Sequence, residues 1–154
     1  MTSTENALIT ADLVDLDLPA GDRRTVVRSL AERLAAAGRV TDVEQFLADV
    51  EAREAQMPTG LDGGIGIPHC RSTAVVAPTL GFGRSAAGVD FGAEDGRPAD
   101  LVFLIAAPDG GGADHMTVLA ALARRLVRKS FTGELRSVTD PAAAADFIAK
   151  EVSA

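Results

Sequence analysis

Two histidines, His69 and His115, are the residues of this 154-residue chain whose settings suggest covalent chemistry. His69 lies in Gly64-Ile65-Gly66-Ile67-Pro68-His69-Cys70-Arg71. Pro68 fixes its own φ and biases Ile67 towards an extended conformation, so the backbone leading to the imidazole is held. The neighbouring glycines remove side-chain bulk. Arg71 shares strand parity with His69, and both side chains leave one face if the extended geometry persists. An imidazole with an ordinary pKa near ~6.5 is largely neutral at physiological pH, and one exposed, uncharged ring nitrogen can then attack phosphorus. Phosphoryl transfer depends on positioning and on stabilising charge at the equatorial oxygens. The Gly-rich backbone, Arg71 and Arg53 are candidate donors. Taken alone, a proline–histidine pair beside glycines more readily fits a structural or merely exposed histidine.

His115 follows Pro108-Asp109-Gly110-Gly111-Gly112-Ala113-Asp114, a segment that reads as a loop opening a helix. A helix N-terminus disfavours the imidazolium and welcomes an anion. His115 could donate a hydrogen bond to a phosphoryl group, or be a solvated first-turn residue. Cys70 beside His69 suggests a thiol–imidazole dyad, but adjacent residues of an extended segment point to opposite faces. His69, Cys70, His115 and an aspartate lack a recognised zinc spacing. Gly60 to Gly66 is no phosphate-binding P-loop without a Gly-Lys-Ser/Thr ending. Arg124-Arg125 and Arg128-Lys129 read as a solvated face near a helix C-terminus.

The elements that must position these residues follow from patterning. Residues 1–21 alternate apolar and acidic side chains and suggest an opening strand or arm, with 1–7 flexible. Asp22 can cap a helix carrying Val26, Val27, Leu30 and Leu34 on one face, with Gly38 past its end. Thr41 and Glu44 form a capping-box pattern for a second helix with Val43, Phe46, Leu47 and Val50. Strand signals follow at Ile65/Ile67, Ala74 to Val76, Thr79 to Arg84 and Val89 to Phe91. Leu101 to Ile105 reads as a central strand covered on both faces. Asp114 is a candidate cap for a helix through Leu126, a short segment holds Phe131 and Leu135, and Asp140-Pro141 opens the last helix. Helices, strands, then helices predict an α/β single-domain sandwich over 1–154: a mixed sheet of about five strands flanked by helices.

Composition narrows the partners. A net charge of -7 with 4% aromatic residues is a poor basis for binding nucleic acid, which selects basic faces and stacking rings. One cysteine excludes an internal disulfide and fits a reducing cytoplasm. No basic, apolar leader opens the chain, and the apolar run 101–107 is too short to span a bilayer. The reading is cytoplasmic, with no direct membrane insertion.

The combined motifs resemble the enzyme IIA component of the bacterial phosphoenolpyruvate:sugar phosphotransferase system, fructose–mannitol class. Arg53-Glu54 before Thr59-Gly60 is similar to that family's Arg-Glu…Thr-Gly approach to the active site. Gly64-Ile65-Gly66-Ile67-Pro68-His69 resembles its Gly-Ile-Ala-Ile-Pro-His signature. Asp95-Gly96-Arg97-Pro98 with 101–108 resembles its turn and central strand, and His115-Met116 with Leu119 and Leu122 its second histidine on a Leu-rich helix. The likeness runs from about residue 8 to 150. It implies a phosphohistidine carrier with His69 as acceptor, His115 as its partner and Arg53 as a nearby cation, with Thr59, Gly60 and Arg71 at the phosphoryl group. Phospho-HPr would be the donor and enzyme IIB the acceptor, with enzyme IIC in the membrane. No metal or cofactor is called for, and homo-oligomerisation stays open. Pro-His-Cys-Arg and Phe-Gly-Ala-Glu-Asp-Gly look most like the fructose branch. A regulatory, nitrogen-branch relative is the alternative. Gly66 stands where alanine is common, a change expected to add backbone freedom without altering chemistry.

Overall fold

Helix signals near the N-terminus are realised with one shift. The computed structural model describes residues 7–109 and 114–153, the side chains of 114–116 and 153 excepted. A 3-10 turn at Ala11–Leu13 leads into β1 (Val14–Asp15). Helix α1 (Arg23–Ala36) begins where the Asp22 carboxylate accepts the Thr25 N–H at 2.9 Å, and Gly38 follows its end at φ 78°. Helix α2 (Val43–Gln56) is capped by Asp42, which accepts the Gln45 N–H at 3.1 Å. The Thr41/Glu44 capping box therefore does not form. Thr41 donates its hydroxyl to the Ala74 carbonyl, and Glu44 reaches across to Arg28 instead. Tertiary partners outbid a local pairing whose worth is only about 1 kcal/mol.

The sheet has six strands, where about five are predicted from the sequence. They are β1, β2 (Gly60–Leu61), β3 (Ile65–Gly66), β4 (His69–Ser72), β5 (Thr79–Val89) and β6 (Ala99–Pro108). The apolar run at Leu101 to Ile105 is central as expected: β5 pairs antiparallel on one side, and β3 and β4 lie parallel on the other. Beyond β3 lies β2, and beyond β5 lies β1. Pro68 has no N–H, so the run opening at Ile65 breaks into β3 and β4. Ala74 to Val76 forms no strand, only an isolated bridge from Val75 to Val40.

Register assigns the faces. His69 pairs with Ile105, Leu80 with Ile105, and Phe82 with Phe103, so these side chains share one face. Helices α3 (Asp114–Leu126), α4 (Lys129–Ser137) and α5 (Pro141–Ser153) complete the chain. Phe131 of α4 stacks 6.4 Å from Phe103, and Phe147 of α5 lies 5.4 Å from Phe131. Rings of this kind contribute about 1.5–3 kcal/mol each on burial, and they fix α4 and α5 to the face that His69 shares. Cys70 and Ser72 point the other way, where Ser72 donates to Asp49 of α2 at 2.6 Å. The Asp140–Pro141 start is realised, with Ala143 donating its N–H to the Asp140 carboxylate. The cap expected from Asp114 lies outside the described residues.

Candidate active site

Strand β4 places His69 through its pairing with β6, and Pro68 still contributes a carbonyl that accepts the Ile105 N–H at 3.0 Å. The imidazole is not exposed as expected: His69 retains 6% of its accessible surface. Its Nδ1 lies 2.7 Å from the Ile67 carbonyl oxygen. A carbonyl only accepts, so Nδ1 carries the proton and Nε2 the lone pair of the neutral ring. Burial lowers the His69 pKa below the ordinary histidine value, opposed by the bond to Ile67; the nearby Arg53 charge lowers it further and Glu54 raises it. Neutral imidazole with its lone pair on Nε2 is the form a nucleophile needs.

The other sequence-derived residues divide. Arg71 shares the parity of His69 and is exposed. Arg53, half-buried in the last turn of α2, donates to the Met57 carbonyl at 3.2 Å and is near enough to act on the imidazole. Thr59 and Gly60 do not offer their donors to a phosphoryl group here. The Thr59 N–H and hydroxyl both go to Glu54, at 2.8 and 2.7 Å, and the Gly60 N–H goes to the Phe91 carbonyl at 3.0 Å. A Cβ at Gly60 would lie 2.7 Å from the Ala93 nitrogen, so its lack of a side chain lets two backbones meet. The His115 backbone belongs to the first turn of α3, but its side chain, and so its partner role, lies outside the described residues.

Glu54 carried no role in the sequence reading. It is 5% exposed although it bears a carboxylate. A signal was present: Phe46, Val50 and Glu54 recur at four-residue steps, which puts a charged residue on the apolar stripe of α2. A charge at a core position is informative because Glu is almost never buried without partners.

Residues 7–151 match the sequence profile of the family described as "Phosphoenolpyruvate-dependent sugar phosphotransferase system, EIIA 2". The chain belongs to this family. It is 37% identical over 153 residues, 99% of each chain, to the PTS system fructose-specific EIIA component of Haloferax volcanii. Its fold superposes on the nitrogen regulatory protein IIA-Ntr of Neisseria meningitidis with a TM-score of 0.84, at 26% identity, covering 92% of this chain and 96% of that one. Mannitol enzyme IIA of Escherichia coli, solved in complex with phosphorylated mannitol enzyme IIB, gives 0.74 at 25% identity, covering 94% and 96%.

In this EIIA-family phosphotransferase component, Cys70 is not the reactive group. Burial, helped by the Asp49 charge, pushes its thiol up to about 12, so the thiolate a nucleophile requires is absent at neutral pH. No helix among the described residues is long and apolar enough to cross a membrane.

The lowered His69 pKa gives a stability prediction. The unfolded chain, with histidine near ~6.5, binds a proton at a pH where the folded ring does not, so stability rises with pH in that window. His69 therefore contributes stability fully above about pH 6.5 that is lost as pH falls below it. One proton limits the slope to about 1.4 kcal/mol per pH unit. Urea midpoints of wild type and His69→Gln at pH 7.5, 6.5 and 5.5 (about one pH unit apart) should converge towards low pH. Parallel curves would show that this ring does not titrate differently on folding.

Proposed function

We propose that this EIIA-family protein is a cytoplasmic carrier that takes a phosphoryl group from phospho-HPr on Nε2 of His69 and passes it to an enzyme IIB for uptake of a fructose-type sugar. The observation that carries the reading is the hydrogen bond from Nδ1 to the Ile67 carbonyl. One P–N bond breaks as the other forms, and Nδ1 keeps its proton on Ile67 throughout. The neutral ring attacks with no prior proton loss, and the 6% of His69 surface that remains must admit the donor. Arg71 and Arg53 stand as cations for the phosphoryl oxygens, where Arg geometry suits bidentate contact. His115, on the first turn of α3, would add a donor at a helix N-terminus that favours anions.

The fructose-specific Haloferax relative supports the sugar class, and the Escherichia coli complex of enzymes IIA and IIB supports the acceptor. Incubation with phosphoenolpyruvate, enzyme I and HPr, followed by mass spectrometry, should place an acid-labile phosphoryl group on His69. Absence of labelling from any phospho-HPr defeats the carrier reading. A second reading has the same chemistry regulating partner proteins, favoured by the higher TM-score with the nitrogen regulatory protein, 0.84 against 0.74. Complementation of a fructose-uptake mutant separates them, since a purely regulatory protein does not restore uptake.

A further inference from the structure

The histidine ring is the end of a chain of hydrogen bonds that begins at a buried carboxylate. Glu54 accepts from the Thr59 N–H through Oε2 at 2.8 Å and from the Thr59 hydroxyl through Oε1 at 2.7 Å. The Thr59 carbonyl accepts the Ile67 N–H at 3.1 Å. The Ile67 carbonyl in turn accepts Nδ1–H of His69 at 2.7 Å. Glu54 and Thr59 are each 5% exposed, so water cannot readily replace either partner. Pro58 precedes Thr59 and Pro68 follows Ile67, which stiffens the chain at both ends of the relay.

We propose that Glu54 is a positioning residue that fixes the tautomer of His69, acting through Thr59 and the Ile67 backbone. With both oxygens engaged, the carboxylate holds the Thr59 peptide in one orientation. The Thr59 carbonyl then anchors Ile67 by its N–H, and Pro68 restricts the torsion that would swing the Ile67 carbonyl away. That carbonyl, being an acceptor only, selects the Nδ1–H form and leaves the lone pair on Nε2. A neutral histidine without this acceptor distributes its proton over both nitrogens, and the form protonated at Nε2 cannot attack phosphorus there. The proposal rests on His69 as phosphoryl acceptor only for its kinetic consequence; the tautomer consequence is independent of it.

The test is the ring nitrogen spectrum of His69, read by 15N NMR near neutral pH, in wild type, Glu54→Gln and Thr59→Val. Glu54→Gln removes the charge and one of the two acceptors. Thr59→Val removes one hydrogen bond and leaves the Glu54 charge in place. The relay requires a single Nδ1–H form in wild type and a measurable Nε2–H population in both folded variants. Where wild type is phosphorylated, phosphorylation of both variants by phospho-HPr should slow by about tenfold in kcat, with KM for the donor nearly unchanged. A response in Glu54→Gln alone assigns the effect to charge at the imidazole and overturns the relay. Melting temperatures that fall while the tautomer stays fixed reduce Glu54 to a fold staple and overturn it equally. If wild type takes no phosphate yet the tautomer shifts in both variants, the relay stands and the carrier reading falls. If Glu54→Gln does not fold, Thr59→Val alone decides by the same spectrum.

Discussion

On the carrier reading, His69→Ala is expected to take no phosphoryl group from phospho-HPr, while its circular dichroism and cooperative unfolding should persist. Magnitude distinguishes the nucleophile from an accessory group. Removing one stabilising donor from a reaction site costs roughly 10²–10³ in rate, and such a variant still labels on longer incubation. Removing the atom proposed to form the P–N bond would leave no covalent route, so no incubation time should restore labelling. Folding should survive because the ring's bond to the Ile67 carbonyl lies within its own segment, and the strand that carries it keeps its pairing to Ile105, Ala106, Ala107 and Pro108. The expected loss of stability is about 1–3 kcal/mol for truncating a buried ring and its bond. Intact-protein mass spectrometry over a time course gives the result directly. Slow but eventual labelling would make His69 an accessory group and shift attention to another acceptor, with His115 the first to test.

The layout of the molecule was legible where a signal is local. Asp22, Asp140-Pro141 and Gly38 mark helix ends by satisfying backbone groups within a few residues, and all three do so in the structure. The continuous apolar run from Leu101 to Ile105 announced the central strand, because only a strand covered on both faces needs no polar alternation. Features set by distant neighbours were not legible. Thr41 looked like a cap because Glu44 lies three residues on, yet Ala74 and Arg28 claim the two side chains. Strand β2 is two residues long and exists through pairing with β3, which leaves no pattern to read.

The same division holds at the site. Proline before histidine correctly implied a held backbone, but the ring's burial depends on β4 lying against β6, 36 residues away in the pairing of His69 with Ile105. The family resemblance implies Thr59 and Gly60 at the phosphoryl group. In this structure their donors go to Glu54, whose place on the apolar stripe of α2 signals burial but not its partner, and to the Phe91 carbonyl, which no spacing announces. The buried polar groups of this region are thus committed to one another. That commitment is what gives a short, glycine-rich segment a fixed geometry despite the conformational freedom of its glycines.

Gly66→Ala is the second change with a large expected effect, because glycine at this position does more than add backbone freedom. A Cβ built on Gly66 would lie 2.5 Å from Cδ2 of Phe91, 2.8 Å from Cγ and 2.9 Å from Cε2, far inside van der Waals contact. Neither side yields easily. Gly66 pairs with Gly60 of β2 on one side and Val102 of β6 on the other, and Phe91 is 2% exposed. Overpacking of this kind costs about 1–3 kcal/mol, and more when both partners are held. The shape of the clash predicts its remedy. Phe91→Leu removes the ring edge that meets the new methyl, so the double variant should be more stable than the sum of the two single losses by at least about 0.5 kcal/mol, the scale of contacting residues. Urea denaturation of the four proteins measures this coupling. Additive losses would mean that the strand moves rather than the ring. Phosphorylation of Gly66→Ala should then report whether β3 must keep its place for Ile67, the next residue, to hold the His69 proton.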